Sequence, residues 1–353
     1  MHGPRHALTP FGVPYPGEGE RDLLALLRGT RSVGPGTPTG EVGRLLDAAE
    51  RHGVTGVVLD RLRASSTPVP SEALARDIAR ELDHEAHLAT LRGVDGAFAS
   101  AGLGAVVLKG ALLASRLYPR PAARATTDID LLVAESDLPR AERALATLGF
   151  EGEDTPEERR FRREHFHLHL ARPGSPPLEL HFHAYRGFGR LLRSEPLLAR
   201  SVPVPGYAAL AALGIADEIV YLAVHAAAHR FARIGWLWDL ELLVGRASAD
   251  DLAAARDRAR TEGFARVLDF TAALLVEELG CDAAAALATR GHALAAARRG
   301  LVSALAPEPA RPLARSLTRL VYTTLLCDDA EAAVRYVRDA SAQRMRYTLG
   351  SSA

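Results

Sequence analysis

The spacing of apolar positions divides the chain into three stretches. In the first, Asp22–Leu27, Gly40–His52 and Ser71–Ala101 repeat apolar residues at helical intervals, with Leu74, Ile78, Leu82, Leu88 and Leu91 marking the longest run. Gly-, Pro- and Ser-rich breaks at Gly29–Thr39 and Ala64–Pro70 separate these helices. The pattern changes after Gly104. Ala105–Leu108 is a short apolar run of the buried-strand type, Gly110 interrupts it, and Ala111–Leu117 reads as a helix. Thr127–Val133 predicts a second strand and Asp137–Leu148 a helix. His165–Leu170 and Leu178–His183 alternate strictly on either side of Pro173-Gly174-Ser175-Pro176-Pro177, the signature of a hairpin with a long loop. From about Tyr207 helical spacing returns, in Ile215–Arg230, Trp236–Val244, Ser248–Glu262 and Phe264–Leu279, with Ser248 placed as an N-cap. Ala-rich helical sequence then continues to the end, broken near Pro307–Pro312. The expected organisation is an irregular N-terminus (1–19), a helical region (20–103), a small mixed α/β core (104–206) and a C-terminal helical domain (207–353). That is an α+β chain with helical flanks.

Composition narrows the class of partner. Basic and acidic residues number 43 each, so the net charge is zero. Binding along a nucleic-acid backbone is driven by neutralising phosphates, which calls for a basic field. A small or peptidic substrate is therefore expected, and no long nucleic acid. Cys281 and Cys327 lack metal-binding spacing and read as helix residues in a reducing compartment. No stretch approaches the ~20 apolar residues of a membrane span. The N-terminal residues lack the apolar segment of a signal peptide, so a cytoplasmic location is expected. One count bears on chemistry: 42 of the 43 basic residues are arginine, and the single lysine is Lys109. A compact ammonium at a site where a planar guanidinium cannot substitute would account for it.

The candidate chemistry centres on Asp128-Ile129-Asp130. Residues i and i+2 of a strand share a face, so the two carboxylates sit side by side while Ile129 and Leu131 point into the core. Two adjacent acids repel, and a divalent cation relieves the repulsion. Mg²⁺ takes oxygen ligands and is commonly held by one or two carboxylates plus substrate phosphates. Taken alone, D-x-D is most often a solvated strand end. Its surroundings add meaning. Leu108-Lys109-Gly110 is an apolar strand followed by a glycine that opens a helix, a turn suited to phosphate oxygens. Glu179 alternates with Leu178 and Leu180 and shares its face with His181 and His183, which makes it a third acid for metal ligation or proton transfer.

These motifs resemble a bacterial family of uncharacterised nucleotidyltransferases, within the superfamily that includes polymerase-β-like enzymes. The resemblance rests on Leu108-Lys109-Gly110, Tyr118-Pro119, Arg124, Asp128-Ile129-Asp130-Leu131-Leu132-Val133 and Glu179-Leu180-His181. It extends to His225, His229-Arg230 and Trp236-Leu237-Trp238-Asp239, over about residues 40–245. It implies a small mixed-sheet nucleotidyltransferase core between helical domains. It implies Mg²⁺, replaceable by Mn²⁺, held by Asp128, Asp130 and Glu179, and transfer of a nucleotidyl group, or of a phosphoryl group as in a kinase, from an NTP to a hydroxyl of a small-molecule, peptide or protein acceptor. Lys109, Gly110, Arg124, Thr127, His181 and His229 are the matching candidates for binding nucleotide or phosphate. The usual Gly-Ser or Gly-Gly turn is here Lys109-Gly110-Ala111, so the phosphate-contacting serine is missing and Lys109 is expected to substitute.

Two other readings compete. His165, His167 and His169 share one strand face and His181 and His183 the next, with Glu179 among them, so the hairpin could form a His/carboxylate site for Zn or Fe. A catalytically inactive nucleotide-binding module on the same fold is the third. His225 and His229 have i, i+4 spacing but lack the H-E-x-x-H glutamate, and Leu88 breaks the same motif at His84. No P-loop or dinucleotide-binding glycine pattern occurs.

Overall fold

The computed structural model describes residues 18–152, 155, 165–289 and 312–350. They form two compact units, one within Glu18–Tyr185 and Leu192–Tyr221, the other within Arg186–Leu191 and from Leu222 onward. The break expected near Pro307–Pro312 and nearly all of the irregular N-terminus lie outside the described residues.

The first unit opens with α1 (Glu18–Leu27), α2 (Thr39–His52), α3 (Thr55–Ala64) and the 30-residue α4 (Ser71–Ser100). A six-stranded mixed sheet follows. Its strands are β1 (Ala105–Val107), β2 (Ile129–Leu132), β3 (His167–Leu170) and β4 (Leu178–His181), joined later by β7 (Val202–Pro203) and β8 (Leu210–Ala212), in the order β3-β4-β2-β1-β8-β7. Between them the chain forms α5 (Ala111–Leu117), α6 (Leu138–Ala146), the two-stranded sheet of β5 (His183–Gly187) and β6 (Arg190–Arg193), and α7 (Ser194–Ala199). The predicted hairpin is present, with β3 and β4 antiparallel and His169 opposite Glu179. Strand β2 runs antiparallel to β1 but parallel to β4, with Asp130 in register with Glu179. The expected change to helix at Tyr207 comes later than predicted, because β8 inserts into the sheet parallel to β1. A run such as Ala-Ala-Leu-Ala-Ala-Leu has no two-residue alternation, so its spacing does not mark it as a strand. Asp95 of α4 holds this strand's entry by accepting the amides of Ala208, Ala209 and Leu210 at 2.8–3.0 Å.

One face of the sheet is the core. Ile129, Leu131 and Val133 pack with Leu168, Leu178, Leu180 and Phe182, covered by Leu91, Val94 and Phe98 of α4 and Leu145 of α6. The first half of α4 departs from its apolar stripe. Leu74, Ile78 and Leu82 face solvent, whereas Asp77 and His84 are buried. The reason is electrostatic: Asp77 receives Arg63 at 2.6 Å and Arg120 at 3.2 Å. Arg120 also reaches Asp60 of α3 at 2.8 Å and Glu81 at 2.7 Å. Burial alone would raise the Asp77 pKa, but these guanidinium groups hold it below the usual carboxylate value. The network ties α3 and α4 to the loop that enters β2.

Gly56 of α3 makes that docking close. A Cβ there would lie 2.3 Å from the Ala123 Cα and 2.6 Å from its carbonyl oxygen. Backbone would have to move, so Gly56→Ala should destabilise the unit by about 1–3 kcal/mol, the usual range for overpacking. It should also disturb the neighbouring Arg124. Gly43→Ala on α2 is the control, since its Cβ meets nothing within 4 Å. Thermal melts should show a lower midpoint for the first variant and an equal or higher one for the second.

In the second unit, α8 (Ile215–Ala228), which continues from the first unit, leads into α9 (Ile234–Val244), α10 (Ala249–Glu262), α11 (Ala265–Leu274), a π-helical turn (Leu275–Leu279), α12 (Pro312–Leu326) and α13 (Ala330–Gly350). Ser248 caps α10 as predicted, in a reciprocal capping box with Asp251. Phe231, Phe264, Phe270 and Tyr322 are fully buried there. Tyr322 donates to the Ala227 carbonyl at 2.9 Å.

Candidate active site

The site is on the sheet of the first unit. Asp128 precedes β2 and Asp130 lies within it, so both project from one face while Ile129 and Leu131 join the core. Lys109 leaves the end of β1, the neighbouring strand, and its ammonium enters between the two acids. Lys109 Nζ is 2.7 Å from Asp130 Oδ2 and 3.2 and 3.3 Å from the two Asp128 oxygens. Asp130 is only 1% exposed. Burial by itself would raise its pKa, yet the Lys109 charge and a hydrogen bond from His181 hold it far below the ordinary carboxylate value. Burial would equally lower the Lys109 pKa, but Asp130 and then Asp128 raise it above its usual value. The ammonium and the Asp130 carboxylate are therefore both charged at neutral pH.

Gly110 allows this approach. It has φ +76°, and a Cβ there would touch the Asp128 carbonyl and the Thr126 methyl at 3.4 Å. Thr127 donates its hydroxyl to Asp128 at 3.2 Å. Arg124, on the loop before β2, contacts the Thr126 hydroxyl at 3.4 Å, and its charge is felt at Lys109. The same loop borders a pocket of about 180 Å³, whose other walls include Glu50, Thr55, Asp83 and His84.

On the other side, β4 brings Glu179 and His181. His181 Nε2 lies 3.2 Å from Asp130 and 3.3 Å from Glu179, so one imidazole bridges two carboxylates on parallel neighbouring strands. Burial would lower its pKa, but the hydrogen bonds to Asp130 and Glu179 raise it above the usual histidine value. Glu179, also partly desolvated, is held below the usual glutamate value by His181. Beside them His167 stacks on His181 at 4.9 Å, and burial with neighbouring histidine charge pushes its pKa down to about 3. A raised histidine pKa stabilises the fold fully below the unfolded value, near 6.5, and that contribution is lost as pH rises through the folded value. Thermal midpoints in the wild type should therefore fall as the pH is raised above about 6.5, through the elevated His181 pKa. His181→Gln should lose that part of the slope, whereas parallel curves would show that His181 stays neutral.

Of the residues singled out in the sequence, Lys109, Gly110, Arg124, Thr127, Asp128, Asp130, Glu179 and His181 are brought together. His229 belongs to the second unit, in a ring cluster with His225 at 4.8 Å and Trp236 at 5.0 Å. Tyr221 gave no signal in the sequence. It is buried, and its pKa is pushed well up, first by desolvation and then by the charges of Asp130, Asp128 and Glu179. It sits in a helix that is apolar on nearly all sides, so no periodicity marks it.

The site is thus a mixed sheet carrying D-x-D on one strand, a third acid on the parallel neighbour and a glycine turn from the adjacent strand. The chain belongs to the family described as uncharacterised nucleotidyltransferases, whose model matches residues 38–280 and so spans every group of the site. No curated protein and no solved structure matches it.

Proposed function

We propose that the protein transfers a nucleotidyl group from an NTP to a hydroxyl of a small-molecule, peptide or protein acceptor, with Mg²⁺ as cofactor. The observation that carries this reading is the convergence of Asp128 and Asp130 on one cation, the Lys109 ammonium, at 2.7–3.3 Å. Two carboxylates that already share one cation would suit a divalent metal ion as well. Asp128, Asp130 and Glu179 would hold Mg²⁺, an all-oxygen set of the kind this ion prefers. Bound there, it would neutralise phosphate charge and align the attacking and leaving oxygens.

The chain's own groups have distinct roles. His181 is a positioning residue that fixes Asp130 and Glu179 relative to each other. Glu179, held ionised, suits ligation better than proton storage. Lys109, displaced from the carboxylates, takes a phosphate oxygen in place of the missing turn serine. Arg124 offers a second phosphate contact. The balanced net charge favours a compact acceptor over a long nucleic acid. The test is incubation with each NTP labelled at the α- or γ-phosphate, with Mg²⁺ and candidate acceptors or the protein itself. Label retained from the α-position with pyrophosphate released supports the reading. Transfer of the γ-label alone contradicts it and would indicate phosphoryl transfer.

A further inference from the structure

His167 and His169, on β3 of the hairpin, have no part in the proposed chemistry. His167 and His169 are i and i+2 on β3 and project to the same side of the sheet as Glu179, which lies directly opposite His169. Glu179 Oε1 is 3.5 Å from His169 Nδ1, and Glu179 Oε2 is 3.9 Å from His167 Nε2. The two imidazoles meet edge to face at 4.7 Å. One ligand atom from each of the three residues lies within 4.8 Å of the others. Asp128 belongs to neither group of closely spaced metal-ligating atoms found among the described residues; the second is Asp130, Glu179 and His181.

The donor chemistry differs from that of the acidic centre. Mg²⁺ selects oxygen, whereas two imidazoles with one carboxylate suit Zn²⁺ and its first-row neighbours, leaving a fourth position open to solvent. His169 is 53% exposed, so an ion can enter from outside without unpacking the sheet. We propose that His167, His169 and Glu179 form a second cation site, selective for a divalent transition metal of the Zn²⁺ type. Because Glu179 also faces Asp130 through His181, occupancy of this site draws on a carboxylate of the acidic centre. This consequence rests on the function proposed above, but the binding itself does not.

Co²⁺ added to chelator-stripped full-length protein tests the binding by visible absorption, without any turnover assay. The expected result is one Co²⁺ per chain with a visible d–d band, displaced by equimolar Zn²⁺ but not by equimolar Mg²⁺. His169→Ala should weaken Co²⁺ binding by roughly 100-fold or more, at or beyond the ~10–100-fold loss that follows removal of outer-shell partners of a metal site. His169 is half exposed, so this variant should melt like the wild type. Asp128→Ala should keep the band. An absent band in the wild type overturns the proposal. So does a band that survives His169→Ala but is lost in Asp130→Asn, which would place the metal on Asp130, Glu179 and His181. Failure of nucleotidyl transfer with the band intact would count against the proposed function and leave this site standing.

Discussion

Asp130→Asn is expected to lower nucleotidyl transfer by at least about 10³-fold, because the substitution removes the charge on which Lys109, His181 and any bound metal depend. Losing one fixed electrostatic contact to a transition state typically costs about 10²–10³-fold, and a metal-ligating carboxylate supports more than one such contact. The variant also separates structure from chemistry. Asp130 is buried and bound to both Lys109 and His181, whereas the Asp128 side chain is 26% exposed. Asp130→Asn should therefore lower the thermal midpoint as well as activity, and Asp128→Asn should lower activity by a similar factor with little change in midpoint. Melts and initial rates on both variants check this. An active Asp130→Asn enzyme would remove the basis of the site.

Lys109→Met should produce the largest change in stability and reverse the response to metal. Removing one member of a buried ion pair typically costs about 3–5 kcal/mol, because the other charge is left without a partner. For a unit of this size that is a fall of roughly 10 °C. In the wild type the ammonium competes with Mg²⁺ for Asp128 and Asp130, so Mg²⁺ without nucleotide should hardly move the midpoint. In Lys109→Met the carboxylates have no internal cation, and millimolar Mg²⁺ or Mn²⁺ should restore several degrees. Lys109→Arg should recover part of the stability but not the activity, since a planar fork cannot occupy the compact place between the two carboxylates. Identical metal responses in wild type and Lys109→Met would show that the carboxylates do not take the ion. The prediction also gives a reason for one lysine among 43 basic residues.

Much of the site was legible because strands have a period of two. Alternation alone put Asp128 with Asp130, and Glu179 with His181, on faces opposite Leu131 and Leu180. The glycine after β1 and the solitary lysine pointed to the same place, and the family resemblance connected them. What sequence could not supply was register across strands. That Asp130 is level with Glu179 follows from the parallel β2–β4 pairing, which joins segments about 50 residues apart and leaves no local mark. Lys109 was read as a phosphate contact, and only the sheet shows that it first serves as counter-ion to two acids. Gly56 is ordinary in sequence, and its meaning appears only where α3 touches Ala123. Leu74, Ile78 and Leu82 keep the helical spacing of the run from Ser71, yet they face solvent because Asp77 and its arginines take the inner side of that helix.

The most direct test of the central claim is Mn²⁺ anomalous scattering from crystals grown with a non-hydrolysable NTP analogue. The account predicts a peak within coordination distance of the Asp128 and Asp130 carboxylates, with Lys109 Nζ moved onto a phosphate oxygen. An analogue bound elsewhere, with Lys109 still clamped between the two carboxylates and no peak beside them, would contradict it.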